Sequence, residues 1–584
     1  MRYKLINQNN PLYSTIETIL TNRGIPYKDI SHYLNTTDED INDYFLLGEN
    51  NLKLAAQELI KAIQQNKQIF MPVDPDCDGY CSCAIFLNYL YKIYPEFVKN
   101  NISCWHHEGK QHGLQDCIEK ALEYDLVICL DAASNDLEEH ERLTKNNIPV
   151  ICLDHHEVDT ISPYATIINN QCSNYPNKDF CGGGITWQFC RYLDNIFKTN
   201  YANDFLDLVA LSLCGDMMSR RSIETKHLMD KGFKDENIKN PFIYYMAKKQ
   251  AYSLGNAITP IGAAFYIVPF INAVVRSGTQ EEKELLFNSM LAFRAFDIIP
   301  STKRGCKGQT EQLVEQAIRT VTNVKARQTR EQDKAMQILE KNIEKNHMMD
   351  HKVLLFLLES GEIAPGLAGL VANKIMAKYQ RPCCILTRGK DEDENEIFQG
   401  SARGYNKSGI DSFKEICEQS NAIQFAAGHA NALGLGIFEA DVPAFLQYTD
   451  EILKDMQPEP LYYVDYIYEN GEINPDDILS IGSLTNLWGQ DIDEPLVVVE
   501  GLKVYKELVK VYKKTDNTLK ISSNSGVDLM KFKASKEDCE TLTENAYSVI
   551  NAVGRCNLNE WNGKITPQIF IEEMEIVNSC KYEF

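Results

Sequence analysis

The sequence predicts an α/β protein built on a buried parallel sheet. A second, smaller α/β unit follows a long helix, and a small β domain, a barrel by pattern, closes the chain. Three observations predict this. Residues 69–74, 126–131 and 150–154 are short apolar runs without alternation, and each ends in Asp. Such runs, separated by helical stretches, mark strands buried on both faces. Residues 310–346 are rich in Gln, Glu, Lys and Arg and contain no Pro or Gly, which reads as one long connecting helix. From about residue 460 the pattern turns to alternating apolar and polar residues, at 496–504, 507–512 and 569–576, as in a small barrel.

The elements follow in order. Residues 1–65 read as a helical segment, with Leu52, Ala55, Ala56, Leu59, Ile60 and Ile63 at helical spacing. The first strand run contains Pro72, a misfit for a central strand because proline cannot donate to the ladder. Helices are expected at 80–94, 113–123, 184–197 and 203–214. The second α/β unit has a strand at 353–358, a helix at 367–379 and a strand at 382–386, then Gly400–Arg403 and a glycine-rich stretch over 426–436. The expected domains are 1–65, 66–305, 306–348 for the connecting helix, 349–456, and 457–584.

Composition bounds the function. The 584 residues, 44% hydrophobic, provide for several cores, and a typical domain of ~150 residues suggests three to four. Charged residues at 24% and aromatics at 10% argue against disorder. No apolar run is read as approaching the ~18 residues a membrane helix needs, and residues 1–10 lack a secretory apolar region. A net charge of −23, from 59 basic and 82 acidic residues, argues against a surface that coats nucleic acid throughout. It is compatible with a local basic channel or with carboxylates clustered around metal ions. The 18 cysteines show no CxxC pairs at zinc-site spacing, so a reduced, cytoplasmic chain using Cys as a small hydrophobe is expected.

The chemistry concentrates at Asp74-Pro75-Asp76-Cys77-Asp78-Gly79, three carboxylates at alternate positions after a strand. Two such charges ~4 Å apart cost on the order of 4 kcal/mol at an effective dielectric of 20. A divalent cation offsets that cost, and Mg²⁺ or Mn²⁺ prefers such hard oxygen donors. A solvated acidic loop or a calcium loop is the competing reading, although the downstream Glu of a calcium loop is missing. Asp131 and Asp154-His155-His156 end two further strands, and the carboxyl edge of a parallel sheet is where ligands bind. A turn or helix cap would account for Asp131 alone, and a surface loop for the two histidines alone. Asp216 ends an apolar helix, where a carboxylate opposes the helix dipole unless a cation relieves it.

Taken together, Asp76-x-Asp78-Gly79, Asp131, Asp154-His155-His156 and Gly215-Asp216 resemble the four motifs of the DHH phosphoesterase superfamily. Asn22-Arg23-Gly24-Ile25, Phe180-Cys181-Gly182-Gly183-Gly184 and Asn272-Ala273-x-x-Arg276 resemble elements of its RecJ-type single-strand exonuclease branch. Gly366 to Ala372, Gly400-Ser401-Ala402-Arg403 and Gly428-His429-Ala430-Asn431 resemble the associated DHHA1 domain, and Asn559-Glu560-Trp561-Asn562-Gly563 the family's OB fold. The resemblance implies a metal-dependent 5′→3′ exonuclease that releases 5′-mononucleotides from single-stranded DNA in recombination, repair or replication. It implies two divalent ions, Mn²⁺ or Mg²⁺, on Asp74, Asp76, Asp78, Asp131, His155 and Asp216. Asp131 would bridge them, Asp154 would orient His155, and His156 would meet the scissile phosphate or leaving oxygen. Arg276, Ser401, Arg403, Gly428 and His429 would hold substrate, with Trp561, Tyr505 or Tyr512 as stacking surfaces. A single-strand-binding protein or a helicase would be the natural partner, with no membrane involved. Two other readings use the same motifs: a phosphodiesterase for short oligonucleotides or cyclic dinucleotides, and a non-catalytic scaffold.

The chain also departs from the family pattern. Pro72 stands in the slot of a usual histidine. The family's arginine-bearing segment is here Trp105-His106-His107-Glu108-Gly109-Lys110-Gln111-His112-Gly113-Leu114. His106, His107 and His112 could be ligands, phosphate contacts or plain surface.

Overall fold

The computed structural model of the chain describes residues 1–108, 111–255, 257–391, 394–405, 407, 410–456, 460–513 and 516–581. Gly109 and Lys110 of the histidine-rich segment, and the domain boundary expected at 457, lie outside these residues. The chain forms two compact units: residues 28–328 with 486–493, and residues 1–27 with 329–485 and 494–584.

The first unit centres on a parallel sheet of β1 (Ile69–Val73), β2 (Ile102–His106), β3 (Leu126–Leu130), β4 (Val150–Asp154) and β5 (Thr166–Asn169), in the order β2-β1-β3-β4-β5. Every residue of β1, β3 and β4 is buried, which is why these runs carry no alternation. The chain reverses direction across the sheet between β1 and β3, and ligands of open α/β sheets bind outside the carboxyl ends at such a switch point. Pro72 lies inside β1 although β1 is not an edge strand. The ladder from β1 to β3 pairs Ile69, Phe70 and Val73 and skips Met71 and Pro72, so the missing N–H is accommodated on that side.

Three helices pack against this sheet or frame its edge: α1 (Cys77–Ile93), α2 (Gly182–Phe197) and α3 (Leu206–Gly215). Residues Leu206 to Cys214 of α3 are buried all round, the pattern of a core helix. The helix expected over 113–123 shrinks to Ile118–Ala121, because Gly113 takes a left-handed φ of 73° and the Leu114 N–H donates to the Asp136 carboxylate instead. One apolar stretch does reach spanning length: Pro260–Ser277 has mean hydropathy 1.3 and is half buried. It breaks at Ile267 into Pro260–Tyr266 and α4 (Val268–Ser277), and Ala263, Ile267, Ile271 and Val274 join the core. The helix α5 (Gln280–Met290) and the 33-residue helix α6 (Leu313–Lys345) follow.

The second unit holds a five-stranded mixed sheet of β6 (Leu354–Leu358), β7 (Cys383–Lys390), β8 (Glu396–Arg403), β9 (Phe425–His429) and β10 (Ala432–Ile437), ordered β9-β10-β8-β7-β6, with α7 (Ala368–Tyr379) packed on β7 and β8. A seven-stranded mixed sheet follows: β11 (Tyr466–Tyr468), β12 (Leu496–Tyr505), β13 (Val509–Lys513), β14 (Asn517–Ser522), β15 (Asp528–Phe532), β16 (Tyr547–Trp561) and β17 (Lys564–Cys580), ordered β11-β12-β16-β17-β15-β14-β13. The N-terminus departs from the all-helical expectation. Arg2–Leu5 is a strand that pairs parallel to Leu461–Val464, a partner too distant in sequence for local periodicity to reveal. Arg23 fixes the same region through a buried two-bond pair with Asp465 at 2.8 and 2.9 Å.

Candidate metal centre

Four elements deliver the donors. β1 ends at Val73, and Asp74 follows it, buried. Asp76 caps α1 by accepting the Gly79 N–H at 3.0 Å, and Asp78 lies in the first turn, where carboxylates suit the helix dipole. Gly79 must be glycine, since a Cβ there would meet Asp74 Cα at 2.8 Å. Asp131 follows β3 with a left-handed φ of 66°, a conformation an Asp side chain tolerates at some strain. Its N–H donates to the Leu153 carbonyl at 2.8 Å, which ties the ends of β3 and β4 together. Asp154 ends β4, and Asp216 caps the carboxyl end of α3.

These groups converge. His155 Nε2 stands 3.2 Å from Asp131 Oδ1, 3.2 Å from Asp216 Oδ2 and 3.8 Å from Asp78 Oδ2. Asp78 is held by the Gly182 and Gly183 N–H groups at 2.8 and 2.9 Å, at the start of α2, and by the Ser212 hydroxyl of α3. A Cβ on Gly182 would collide with the Asp131 carboxylate, and one on Gly183 with Ser212. The triple glycine thus brings a helix N-terminus against the carboxylates. Asp154 accepts from the Ser134 N–H at 3.0 Å, the His155 N–H at 2.7 Å and His156 Nδ1 at 2.7 Å. Sequence reasoning missed Ser134 and Ser212 as supports, since single serines in apolar stretches carry no signal. The glycine triplet was a visible one.

The electrostatics are those of negative charge confined in a low-dielectric site. Burial and the neighbouring Asp78 and Asp76 carboxylates push Asp216 up to about 8 and Asp131 well above the usual carboxylate range. Burial and Asp76 do the same to Asp74. Asp76 is raised by burial and Asp78, against which Arg276 of α4 favours its charged form. Burial would also raise Asp154, but its hydrogen bonds, that from His156 first, hold it well below the usual range. The same bond raises His156 to about 9, while burial lowers His155.

The donor set fits divalent cations. Asp74 Oδ1, Asp131 Oδ1 and His155 Nε2 are buried without hydrogen-bond partners, so each presents an unused lone pair to the same region. Ligand atoms lie within 4.8 Å of one another in three groups: Asp74, Asp76 and Asp131; Asp78, His155 and Asp216; and Asp131, His155 and His156. Asp131 occurs in two of these groups.

Residues 68–213 match the family model of the DHH family, N-terminal domain, and residues 464–573 match the RecJ OB domain. The chain is 34% identical, over the full length of both proteins, to the SPbeta prophage-derived single-strand DNA-specific exonuclease YorK of Bacillus subtilis (strain 168). The chain belongs to the RecJ-type exonuclease family of DHH proteins. The single-stranded-DNA-specific exonuclease RecJ of Bacillus subtilis is 23% identical over 98% of this chain and 70% of its own length. The crystal structure of RecJ in complex with Mn²⁺ from Thermus thermophilus superposes with a TM-score of 0.68 at 18% identity, covering 99% of this chain and 80% of that one.

The other predicted residues of this RecJ-type chain fall elsewhere. Arg276 is exposed near the carboxyl end of α4. Ser401, Arg403, Gly428 and His429 belong to the second unit. Register places Arg403, Ala432 and His429 in one cross-strand row, and Ser401, Gly434 and Ala427 in the next row on the same face. Gly428 takes φ 116°, and a Cβ there would meet the Ala432 carbonyl at 2.9 Å. Gly369 of α7 lies over Ser401 and Arg403. Trp561 is 73% exposed at the β16–β17 turn and Tyr512 is exposed too, whereas Tyr505 is half buried beside Tyr547. The extra histidines do not join the carboxylate groups. His106 is bonded to the Tyr80 hydroxyl at 3.1 Å and lowered to about 4 by burial, His107 pairs with Asp116, and His112 is exposed.

Proposed function

We propose that this chain is a metal-dependent 5′→3′ exonuclease that hydrolyses single-stranded DNA to 5′-mononucleotides. One observation carries the reading: His155 Nε2 and the Asp131 and Asp216 carboxylates meet at 3.2 Å beneath a ring of further buried carboxylates. Asp74, Asp76, Asp78, Asp131, His155 and Asp216 hold two divalent cations, Mn²⁺ or Mg²⁺, with Asp131 shared between them. Bound there, the cations supply Lewis-acid stabilisation of charge on the phosphate.

The protein's own groups do the rest. Asp154 anchors both histidines through its hydrogen bonds to their N–H groups and to His156 Nδ1. His156, half exposed and cationic up to about pH 9, can lend a proton to the leaving oxygen or pair with the phosphate. Arg276 contributes a forked cation beside the carboxylate edge. Ser401, Arg403, Gly428 and His429 bind the backbone of the strand, and Trp561 and Tyr512 present exposed rings for base stacking. Naming of the RecJ and YorK relatives as single-strand DNA-specific exonucleases supports the substrate class. The net charge of −23 makes general DNA affinity weak, so a single-strand-binding protein or helicase would load the strand, in recombination, repair or replication. Eighteen free thiols, most of them buried, support a reducing cytoplasmic setting.

The test is a 5′-phosphorylated single strand labelled at one end or the other, incubated with Mn²⁺ or Mg²⁺. Immediate release of labelled mononucleotide from the 5′ end is expected. Release first from the 3′ end, or turnover of a dinucleotide in preference to a long strand, contradicts the reading.

A further inference from the structure

The loop after β2 holds a second set of donors that the carboxylate edge does not use. The His107 side chain is fully buried. Its Nδ1 stands 2.8 and 3.0 Å from the two Asp116 carboxylate oxygens, while its Nε2 is buried with no hydrogen-bond partner. Cys117 is 1% exposed, and its thiol faces only the Gly113 and Leu114 carbonyls, at 3.6 and 3.7 Å. A ring nitrogen of His107, a carboxylate oxygen of Asp116 and the Cys117 sulfur lie within 4.8 Å of one another.

We propose that His107, Asp116 and Cys117 form a structural site for a transition-metal ion, zinc by its chemistry, separate from the carboxylate edge. A buried Asp–His pair accounts for His107 Nδ1, but it leaves a bare nitrogen lone pair in an apolar interior. An electron-poor ion is the partner such a lone pair lacks. The donor set decides which ion. Imidazole and thiolate favour Zn²⁺, whereas Mg²⁺ and Mn²⁺ prefer all-oxygen sites such as the DHH edge. Three protein ligands leave the fourth tetrahedral position to water. The thiol gives its proton to solvent on binding.

The backbone around these donors is already fixed. The Lys283 ammonium of α5 donates to the His107 carbonyl at 2.5 Å. Asp136 accepts the Leu114 N–H at 2.7 Å, and Gly113 is held at φ 73° beside it. A metal there would pin the loop that leaves β2 at the same carboxyl edge of the sheet from which Asp74 and Asp131 emerge. No CxxC spacing announces the site, because its ligands come from a strand end and a turn nine and ten residues on.

The test strips the full-length protein with a chelator and titrates it with Co²⁺. A thiolate-to-cobalt charge-transfer absorption reports sulfur ligation and is silent for the carboxylate edge, whose ligands include no thiolate. The expected result is a band that saturates at one equivalent, is displaced by Zn²⁺, and vanishes in Cys117→Ser. In His107→Gln and Asp116→Asn, which keep the sulfur in place, Co²⁺ affinity should fall at least about tenfold. Absence of the band in the wild-type chain, its persistence in Cys117→Ser, or unchanged affinity in both other variants overturns the proposal.

Discussion

At the carboxyl edge of the parallel sheet, charge is buried and crowded. On the β8–β10–β9 face of the second unit, single charged side chains stand on a floor of small residues. Asp131 is 1% exposed and its carboxylate is raised by its neighbours, whereas His429 is exposed and shares its row with Ala432 and Arg403. The difference teaches how each region works. The first stores repulsion that only cations relieve, so its groups must be placed by rigid strand ends and glycine contacts. The second needs an open surface, so glycines and alanines matter for what they leave out.

The comparison is sharpest at Asp131. Asp131→Asn should lower kcat/KM on single strands by on the order of 10³-fold. It should also raise the melting temperature of the chelator-treated protein, because one of the mutually repelling carboxylates is gone. Loss of activity together with loss of stability would mean that the carboxylate serves the fold. His156→Ala should reduce kcat on the order of 10²-fold. The wild-type Asp154–His156 pair gives stability fully present below the ordinary histidine value of 6.5 and lost as pH rises through about 9. That alkaline loss, read in pH-dependent thermal melts, should be absent from the variant.

Arg403→Ala probes the other region. It should raise KM about tenfold with kcat nearly unchanged, and reduce the slope of log affinity against log salt by about one. A fall in kcat alone would place Arg403 in the chemistry and erase the distinction between the two regions. The smallest effect concerns metal-free stability. Asp216 sits at about 8 instead of 3.8, so the folded state binds more protons than the unfolded one between those values. Metal-free stability should therefore decline as pH rises from about 4 to 8. The thermal stabilisation by Mn²⁺ should grow over the same interval, to a few degrees.

Much of the carboxylate edge is legible in the sequence because each buried strand run ends in the residue that matters. Apolar continuity through 126–130 predicts β3, and Asp131 follows it. The supports of that edge are less legible. Ser212 and Ser134 look like small residues in apolar stretches until the fold sets their hydroxyl or N–H against Asp78 and Asp154. The N-terminal strand is illegible for a different reason: four residues carry too little period, and the partner at 461–464 is far away in sequence. Pro72 shows the limit of a propensity rule, since an interior strand tolerates it where the ladder skips a rung. On the second unit's open face, residue types alone favour bland readings. Resemblance singled out Ser401, Arg403, Gly428 and His429, and only register shows that Arg403 and His429 share a row.

The central claim is that buried carboxylates and His155 gather around divalent cations. Calorimetric titration of the chelator-treated protein with Mn²⁺ tests it most directly. Saturable binding that disappears in Asp131→Asn is the predicted result. A stoichiometry of zero in the wild-type chain, or an isotherm left unchanged by the substitution, would contradict it.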